Sequence, residues 1–335
     1  MSNDTVRVGL NGFGRIGRNV FRASLDSDAV EIVGINDVME DDEIEYLAKY
    51  DSVMGRLDGA SLDDGTLTVD DTDFEAGVFH ETDPTQLPWA ELDVDVAFEA
   101  TGIFRSYEDA SQHLDAGADK VVISAPPKGD TPVKQLVYGV NHNEYDGEDV
   151  VSNASCTTNS ITPVAKVLNE EFGIESGQLT TVHAYTGTQN LVDGPNSKPR
   201  RRRAAAENII PTTTGAAQAA TEVLPDLDGK LDGMAMRVPV PAGSITEFVC
   251  TLETDATEAD INAAFEEAAT GELEGVLGVS HDAIVSRDVL GQPYSTLVDL
   301  ENTNVVNGLV KILTWYDNEF GFSNRMLDLA EFIDE

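Results

Sequence analysis

Short apolar runs alternate with amphipathic runs through the first half of the chain. The runs rich in β-branched side chains, which predict buried strands, are residues 6–10, 31–36, 94–102 and 120–127. Helical spacing of apolar residues follows the first run, and Ser106 is placed to cap a helix that ends near Leu114. Alternating strands and helices predict an α/β fold with a doubly wound parallel sheet, which binds ligands at the carboxyl ends of its strands.

The pattern changes after residue 155. Alternating apolar and polar residues over 180–186 and 245–252 predict strands of a second sheet, mainly antiparallel, and residues 319–335 have the spacing of a final helix. We therefore predict two domains. The first is a doubly wound domain over residues 1–155, against which the final helix packs back, and the second is an α+β domain over residues 156–318.

A glycine-rich turn follows the first predicted strand. Gly12, Gly14 and Gly17 have the spacing that lets a backbone turn tightly, approach a pyrophosphate and pack a helix against a strand. This spacing alone is a weak signal, but Asp37 ends the second strand about 20 residues past the last glycine. An acid there binds ribose hydroxyls and repels a 2′-phosphate, so the pattern predicts a Rossmann domain that binds NAD and leaves some use of NADP open. Ser124 lies in the run 120–127, which the pattern predicts to be a strand followed by a turn, and is expected to touch the cofactor.

Cys156 lies where a β-branched run turns into an amphipathic one, at the predicted start of a helix. Unpaired backbone N–H groups and the helix dipole favour a negative charge there, so we expect a lowered thiol pKa. A lone cysteine is more often a small buried hydrophobe, and we interpret Cys250 in that way. The polar neighbours of Cys156, from Ser155 to Asn159, favour a nucleophile instead.

His183 is one of five histidines and lies in a predicted strand. A strand histidine is more often structural than catalytic. Beside an activated cysteine, however, it is the natural general base. The histidines show no metal-ligand spacing, and we predict no metal site.

Arg200–Arg203 form a basic run in an otherwise acidic chain. Four arginines in a strongly negative field are a poor footprint for nucleic acid. One or two guanidinium groups with nearby hydroxyls suffice for a small phosphate, and Thr212–Gly215 supply hydroxyls. We therefore expect a phosphorylated small molecule and no specific nucleic-acid partner.

The composition indicates the environment in which the protein works. The chain has 61 acidic and 21 basic residues, which gives a net charge of −40. This charge favours a halophilic source, because the self-repulsion is screened only in concentrated salt. Two cysteines fit a reducing compartment, and neither a signal peptide nor a membrane-spanning run is apparent, so we expect a cytoplasmic protein. The acidic segment 39–88 is expected to form sheet-edge hairpins without catalytic residues.

Over nearly its whole length the chain resembles the glyceraldehyde-3-phosphate dehydrogenase family. The matching stretches, in order, are NGFGRIGR, SAP, SNASCTTN, HAYTGTQ, AAAENIIPTTTGAA, GMAMRVPVP and WYDNEFGFSNR. The resemblance implies oxidation of glyceraldehyde 3-phosphate with NAD and inorganic phosphate, by way of a thiohemiacetal and a thioester, in a homotetramer that shields the basic run.

The resemblance also implies roles for particular residues. Cys156 would be the nucleophile and His183 its base, while Asn318 would orient the nicotinamide carboxamide. The remaining cofactor contacts implied are Gly12, Gly14, Arg15, Ile16, Gly17, Asp37 and Ser124. The substrate and phosphate contacts implied are Ser155, Thr157, Thr186, Arg203, Thr214, Gly215 and Arg237.

Three departures and two alternatives remain. Thr82 stands where the family usually has an arginine on the adenine side, Gln218 stands where lysine is common, and Phe322 replaces the commoner tyrosine. An erythrose-4-phosphate dehydrogenase would share the cysteine and the glycine loop but use water in place of phosphate. A non-enzymatic nucleotide-binding or RNA-binding regulator would need neither Cys156 nor His183.

Overall fold

The computed structural model describes residues 5–334. The strands are β1 (Val6–Asn11), β2 (Val30–Asn36), β3 (Tyr50–Asp51), β4 (Gly55–Arg56), β5 (Ala60–Asp63), β6 (Thr66–Val69), β7 (Glu75–Phe79), β8 (Val96–Glu99), β9 (Lys120–Ile123), β10 (Lys134–Gln135), β11 (Val150–Ser152), β12 (Ile174–Ala184), β13 (Ile210–Thr213), β14 (Leu231–Val238), β15 (Ser244–Leu252), β16 (Leu277–Ser280), β17 (Thr296–Asp299), β18 (Asn304–Val306) and β19 (Leu309–Tyr316). The α-helices are α1 (Arg15–Ser24), α2 (Asp41–Lys49), α3 (Tyr107–Ala110), α4 (Gln112–Asp115), α5 (Cys156–Phe172), α6 (Ala216–Val223), α7 (Glu258–Thr270) and α8 (Phe320–Asp334).

The chain divides into two compact units. The first unit comprises the described residues up to Leu136, His142–Ala154 and those from Ser323 onward, and the second comprises Val137–Asn141 and Ser155–Phe322. Among residues 5–334, no helix is long and apolar enough to cross a membrane.

The first unit is built on a nine-stranded sheet in the order β10-β11-β9-β8-β1-β2-β7-β6-β5. Neighbouring strands from β10 to β7 pair in parallel, whereas β6 and β5 extend the edge as antiparallel strands. The strand order reverses between β1 and β8, and such a reversal is where open α/β sheets bind their ligands.

Two details of the first unit differ from the pattern-based expectation. The acidic segment after Met39 contains the helix α2 besides the expected hairpin, and this helix begins with a capping box of Glu40 and Glu43. The helix expected from Ser106 is two short helices that meet at Ser111, although the Ser106 hydroxyl does accept a hydrogen bond from the Asp109 N–H at 3.1 Å.

The second unit is built on an eight-stranded sheet, mainly antiparallel, in the order β13-β14-β12-β15-β19-β17-β16, with β18 paired to β19. The predicted fold class, a doubly wound parallel sheet plus an α+β part with a mainly antiparallel sheet, is therefore confirmed. Helices α5, α6 and α7 bury apolar residues against one face of this second sheet, where Phe248 and Ile312 are fully buried. Cys250 belongs to that core, and burial raises the pKa of its thiol to about 12.

Candidate functional site

The loop after β1 has the shape that its glycines predict. Gly12 has φ +101°, and a Cβ there would lie 2.6 Å from the Thr101 nitrogen. A Cβ on Gly17 would lie 1.9 Å from the Gly12 oxygen, so any residue other than glycine at position 17 would force the helix α1 away from the loop. Gly14 is the N-cap of α1, and no described atom outside its own neighbours lies within 4 Å of its Cβ position. The backbone at the exposed Gly14 therefore leaves room for a pyrophosphate to approach the start of α1.

Asp37 is fixed beside this loop. Its carboxylate accepts hydrogen bonds from the Phe13 N–H at 2.7 Å and the Met39 N–H at 3.1 Å. Each bond occupies one lone pair of a different oxygen, which leaves acceptor capacity for ribose hydroxyls. A constrained glycine loop, an open helix N-terminus and a held carboxylate fit NAD.

The other cofactor candidates of the first unit lie around the same strand ends. Arg15 begins α1 and is ion-paired with Asp51, while Ile16 is half-buried. Ser124 follows β9, and its N–H donates to the Glu99 carbonyl at 3.0 Å.

Cys156 is the first residue of α5, as predicted. The Ser155 hydroxyl caps the helix by accepting from the Thr158 N–H at 3.1 Å. Cys156 Sγ lies 3.5 Å from Nε2 of His183, which is on β12 and is 4% exposed. The structure therefore brings together the nucleophile and base inferred from the sequence.

The tautomer of His183 follows from its second contact. Nδ1 lies 2.7 Å from the Ala184 carbonyl, which can only accept, so Nδ1 carries a proton. In the neutral ring Nε2 then presents its lone pair to the thiol. This is the arrangement of a base poised to take the Sγ proton.

Burial opposes an isolated charge on either partner. Desolvation raises the pKa of the Cys156 thiol despite the nearby Arg237 and the amides at the helix start. Desolvation, assisted by Arg237, lowers the pKa of His183 to about 3. The prediction of a lowered thiol pKa is therefore wrong, because the cost of burial outweighs the helix terminus. Transfer of a proton from Sγ to Nε2 creates both charges together and adds no net charge to the site.

A cluster of cations and hydroxyls is built around β14 and the loop after β12. Arg237 on β14 lies beside His183 in the register of the parallel strands β12 and β14. Its guanidinium donates to the Thr186 hydroxyl at 3.2 Å. Arg201 donates to the hydroxyls of Thr188 at 3.1 Å and Thr212 at 3.2 Å. Thr186 and Thr188 are themselves joined at 3.0 Å. Guanidinium groups bonded to neutral hydroxyls, rather than to carboxylates, retain the charge that an anion needs.

Of the two arginines in this cluster, Arg237 was inferred from the sequence, whereas Arg201 was not. Arg203 is mostly exposed, and its guanidinium is ion-paired with Asp193 at 2.8 Å. The sequence alone did not indicate Arg201 or Thr188, because a run of four arginines does not reveal which guanidinium contacts the hydroxyls. The sequence does contain one indication of the cluster, since Thr186 and Thr188 lie two residues apart in the loop after β12 and can present both hydroxyls to one site.

The remaining candidates of the second unit are placed as follows. Thr157 is buried, and its hydroxyl lies 3.0 Å from the Tyr316 hydroxyl. Thr214 accepts from the Ala216 N–H at 3.1 Å, and Gly215 is the exposed N-cap of α6. Asn318 is buried and accepts from the Ser244 hydroxyl at 2.9 Å, so its amide group is held in one orientation.

Across the described part of the chain, no group of three or more histidine, cysteine or acidic residues could hold a metal ion.

Comparison with known proteins gives matches over both units. The family model described as glyceraldehyde 3-phosphate dehydrogenase, NAD binding domain, matches residues 6–107, and the one described as the C-terminal domain of the same enzyme matches residues 155–318. A glyceraldehyde-3-phosphate dehydrogenase of Haloarcula vallismortis is 82% identical over 335 residues, which cover 100% of each chain. This organism fits the halophilic origin predicted from the charge.

More distant relatives match over nearly the same span. The enzymes of that name from Streptomyces coelicolor and Geobacillus stearothermophilus are 52% and 51% identical, with 98% of each chain covered. With these identities over the full length, the chain belongs to the glyceraldehyde-3-phosphate dehydrogenase family.

Proposed function

We propose that the protein oxidises glyceraldehyde 3-phosphate reversibly to 1,3-bisphosphoglycerate, with NAD as oxidant and inorganic phosphate as second substrate. The observation that carries the proposal is the 3.5 Å contact of Cys156 Sγ with the unprotonated nitrogen of His183, beside a cluster of arginines and hydroxyls. A thiol and a base within reach provide covalent catalysis, and the cations provide sites for phosphate groups.

The reaction proceeds on Cys156. Sγ bonds to the aldehyde carbon while its proton passes through Nε2 of His183 to the carbonyl oxygen, which gives a thiohemiacetal. Loss of hydride from that carbon, and of the hydroxyl proton to Nε2, leaves a thioester. NAD, held by the glycine loop and Asp37, supplies the hydride acceptor when bound. A phosphate oxygen then attacks the thioester carbon, and the C–S bond breaks with Sγ leaving as the thiolate. The acyl phosphate departs, and the proton on Nε2 returns to Sγ, which restores the thiol and the neutral imidazole.

Two phosphate groups require two cationic positions. We assign the C3 phosphate of the substrate to Arg237 and Thr186, whose side chains are already joined. We assign inorganic phosphate to Arg201, because it is bonded to the hydroxyls of Thr188 and Thr212. Ser155, Thr157, Thr214 and Gly215 remain candidates for the same phosphate, and Arg203 is the sequence-based candidate that Arg201 replaces.

In this proposal the pyrophosphate and the ribose of the cofactor are bound by the first unit, and the chemistry belongs to the second. Gly12, Gly14 and Gly17 shape the pyrophosphate position, while Asp37 binds the ribose. Arg15, Ile16 and Ser124 are further contacts from the first unit, and Asn318 holds the nicotinamide amide.

Phosphate dependence tests the proposal directly. In molar KCl, formation of reduced nicotinamide from glyceraldehyde 3-phosphate and NAD should require inorganic phosphate and vanish in Cys156→Ser. Equal rates without phosphate would favour hydrolysis, the chemistry of an erythrose-4-phosphate dehydrogenase. Absence of turnover together with RNA binding in molar salt would favour the regulator, although the names of the relatives favour neither alternative.

A matched pair tests the phosphate assignment. Arg201→Gln should raise the KM for inorganic phosphate about tenfold, since a charge-assisted hydrogen bond is lost. Arg203→Gln, two residues away and paired with Asp193, should leave that KM unchanged. A raised KM for phosphate in Arg203→Gln, with no change in Arg201→Gln, would instead assign the inorganic phosphate to Arg203.

We further propose a cytoplasmic homotetramer. Leu191, Val192 and Ile209 are 73%, 70% and 67% exposed, and the sheet face of the second unit opposite α5 carries half-buried apolar side chains such as Leu313. Apolar groups presented in this way favour contact with further copies of the chain. Light scattering in molar KCl should give four times the chain mass, and a monomer would contradict the proposal.

A further inference from the structure

A buried polar network lies beneath the glycine loop and is not used by the chemistry at Cys156. Asn11, Asn36 and Glu99 end the adjacent strands β1, β2 and β8, where Asn11 is in register with each of the other two. All three are at most 3% exposed, and His113 and Trp89 are fully buried behind them. Charged groups are rarely buried to this degree unless they are fully hydrogen-bonded.

Glu99 is the acceptor on which the network converges. Oε2 accepts from Asn11 Nδ2 at 2.7 Å and lies 3.3 Å from His113 Nε2. Oε1 accepts from the Thr101 N–H at 2.9 Å and from the Thr101 hydroxyl. The donors are an amide, a backbone N–H, a hydroxyl and, as the next contact shows, a neutral imidazole. No cation therefore neutralises the carboxylate directly.

The protonation states follow from the donors. Trp89 Nε1–H can only donate, and it lies 3.1 Å from His113 Nδ1, so this nitrogen is an acceptor and the proton is on Nε2. Thr101 Oγ1 accepts from the Ile103 N–H at 3.0 Å, and Glu99 Oε1 is the acceptor that its own proton meets. Asn11, His113 and the Thr101 N–H also present donors to Glu99, which favours its charged form. The side chain is therefore an ionised carboxylate.

The network extends to the wall of the dinucleotide loop. Thr101 is the residue whose nitrogen would lie 2.6 Å from a Cβ on Gly12, so the position of Thr101 limits the shape of the loop. Asn11 immediately precedes Gly12, and its Oδ1 accepts from Asn36 Nδ2 at 2.7 Å. Asn36 in turn exchanges hydrogen bonds with the backbone of Glu81.

We propose that Glu99 is a positioning residue for NAD: its buried carboxylate fixes Asn11 and Thr101, and thereby holds the glycine loop in the form that receives the pyrophosphate. This inference rests on the proposed function for the identity of the ligand. Because the carboxylate is shielded from solvent, its action persists in molar salt, where exposed ion pairs are screened.

Glu99→Gln tests the proposal, since it keeps the shape of the side chain but turns one acceptor into a donor. The dissociation constant of NAD, measured by calorimetry in molar KCl, should rise about tenfold because donors are left facing a donor. The KM for NAD should rise with it, while kcat and the alkylation rate of Cys156 should change by less than about twofold.

A second exchange should restore binding. In Asn11→Asp/Glu99→Gln the donor and acceptor roles between the two side chains are reversed, and the new carboxylate still accepts from Asn36. We expect the double variant to regain most of the lost affinity. Failure to regain any would contradict the pairing proposed here.

Two controls separate positioning from loss of stability. Val96→Ala, on the same strand and fully buried, should lower Tm without weakening NAD binding. If Glu99→Gln does not fold, His113→Gln and His113→Leu serve instead: the former keeps a donor towards Glu99 and should bind NAD, whereas the latter should bind more weakly. Equal NAD binding in Glu99→Gln and the unaltered chain would overturn this inference alone, and no NAD binding by the unaltered chain would contradict the proposed function.

Discussion

Cys156 and His183 show how burial shapes a reactive pair. Each side chain in isolation resists ionisation, since desolvation raises the pKa of the thiol and lowers that of the imidazole. The 3.5 Å contact between Sγ and Nε2 lets one proton transfer ionise both. Thiol reactivity should therefore depend on His183 rather than on the helix terminus alone.

His183→Asn separates these two contributions, because the amide can still donate to the Ala184 carbonyl. Alkylation of Cys156 by iodoacetamide at neutral pH should slow about 100-fold, the typical contribution of a positioned base. The residual rate should rise only at alkaline pH, above the ordinary thiol pKa of 9.0. Alkylation at the unaltered rate would show that the helix terminus activates the thiol without the base.

The same variant tests the burial of His183 thermodynamically. The folded-state pKa of about 3 lies below the ordinary value of 6.5, so the unfolded chain binds the extra proton and stability falls as pH drops from 6.5 towards 3. The maximum slope is about 1.4 kcal/mol per pH unit. Between pH 6.5 and 5 at constant KCl, denaturant unfolding should show the unaltered chain losing about 2 kcal/mol more than His183→Asn. Equal losses of stability in the two proteins would show that the His183 imidazole takes up its proton in the folded chain as readily as in the unfolded one.

The sequence was sufficient for residues whose chemistry and local pattern coincide. Cys156 at a predicted helix start and Asp37 at a strand end were recognisable because their positions follow from periodicity. The direction of the thiol pKa shift could not be predicted, since it depends on burial by residues distant in the chain. The contacts of Arg201 could not be predicted either, because the register of the short 3-10 turn Pro199–Arg202 decides which guanidinium meets the hydroxyls.

Secondary-structure elements were recognised where apolar periodicity was strong. Strand β12 alternates and α5 is amphipathic, so both were predictable. The helix α2 was missed, because its start is a run of acids and only Ile44 and Ala48 are buried. Its capping box, Glu40 with Glu43, was the local signal present in the sequence.

A capping box of the same kind begins α7. The Thr257 hydroxyl accepts from the Asp260 N–H at 3.3 Å, and the Asp260 carboxylate accepts from the Thr257 N–H at 2.9 Å. Thr257→Ala should therefore destabilise the second unit by about 1 kcal/mol without affecting catalysis. Thr254→Ala, at another exposed threonine outside the box, is the matched control in thermal unfolding. Equal effects of the two variants would deny the cap a role.

The charge of −40 governs the molecule as a whole. Exposed ion pairs contribute little to stability, and those present here, such as Arg203 with Asp193, cannot offset so large an excess of acid. The screening length shrinks from about 10 Å at 0.1 M salt to about 3 Å at 1 M. Compactness should accordingly depend on salt.

Dialysis against dilute buffer should unfold or dissociate the protein. The expected result is loss of activity and of tertiary circular dichroism at about 0.1 M KCl, with retention at molar KCl, because repulsion between acids is then screened. Sucrose at equal osmolality is the control, since it does not screen charge. Persistence of the native spectrum for days without salt would contradict the halophilic interpretation.

The most direct test is to trap the acyl group on Cys156. Glyceraldehyde 3-phosphate and NAD are mixed with the enzyme in molar KCl without phosphate, quenched with acid and digested for mass spectrometry. We predict one acyl group on the peptide that contains Cys156, and its discharge as acyl phosphate when phosphate is added before the quench. Reduced nicotinamide formed without any adduct on that peptide would contradict covalent catalysis by Cys156.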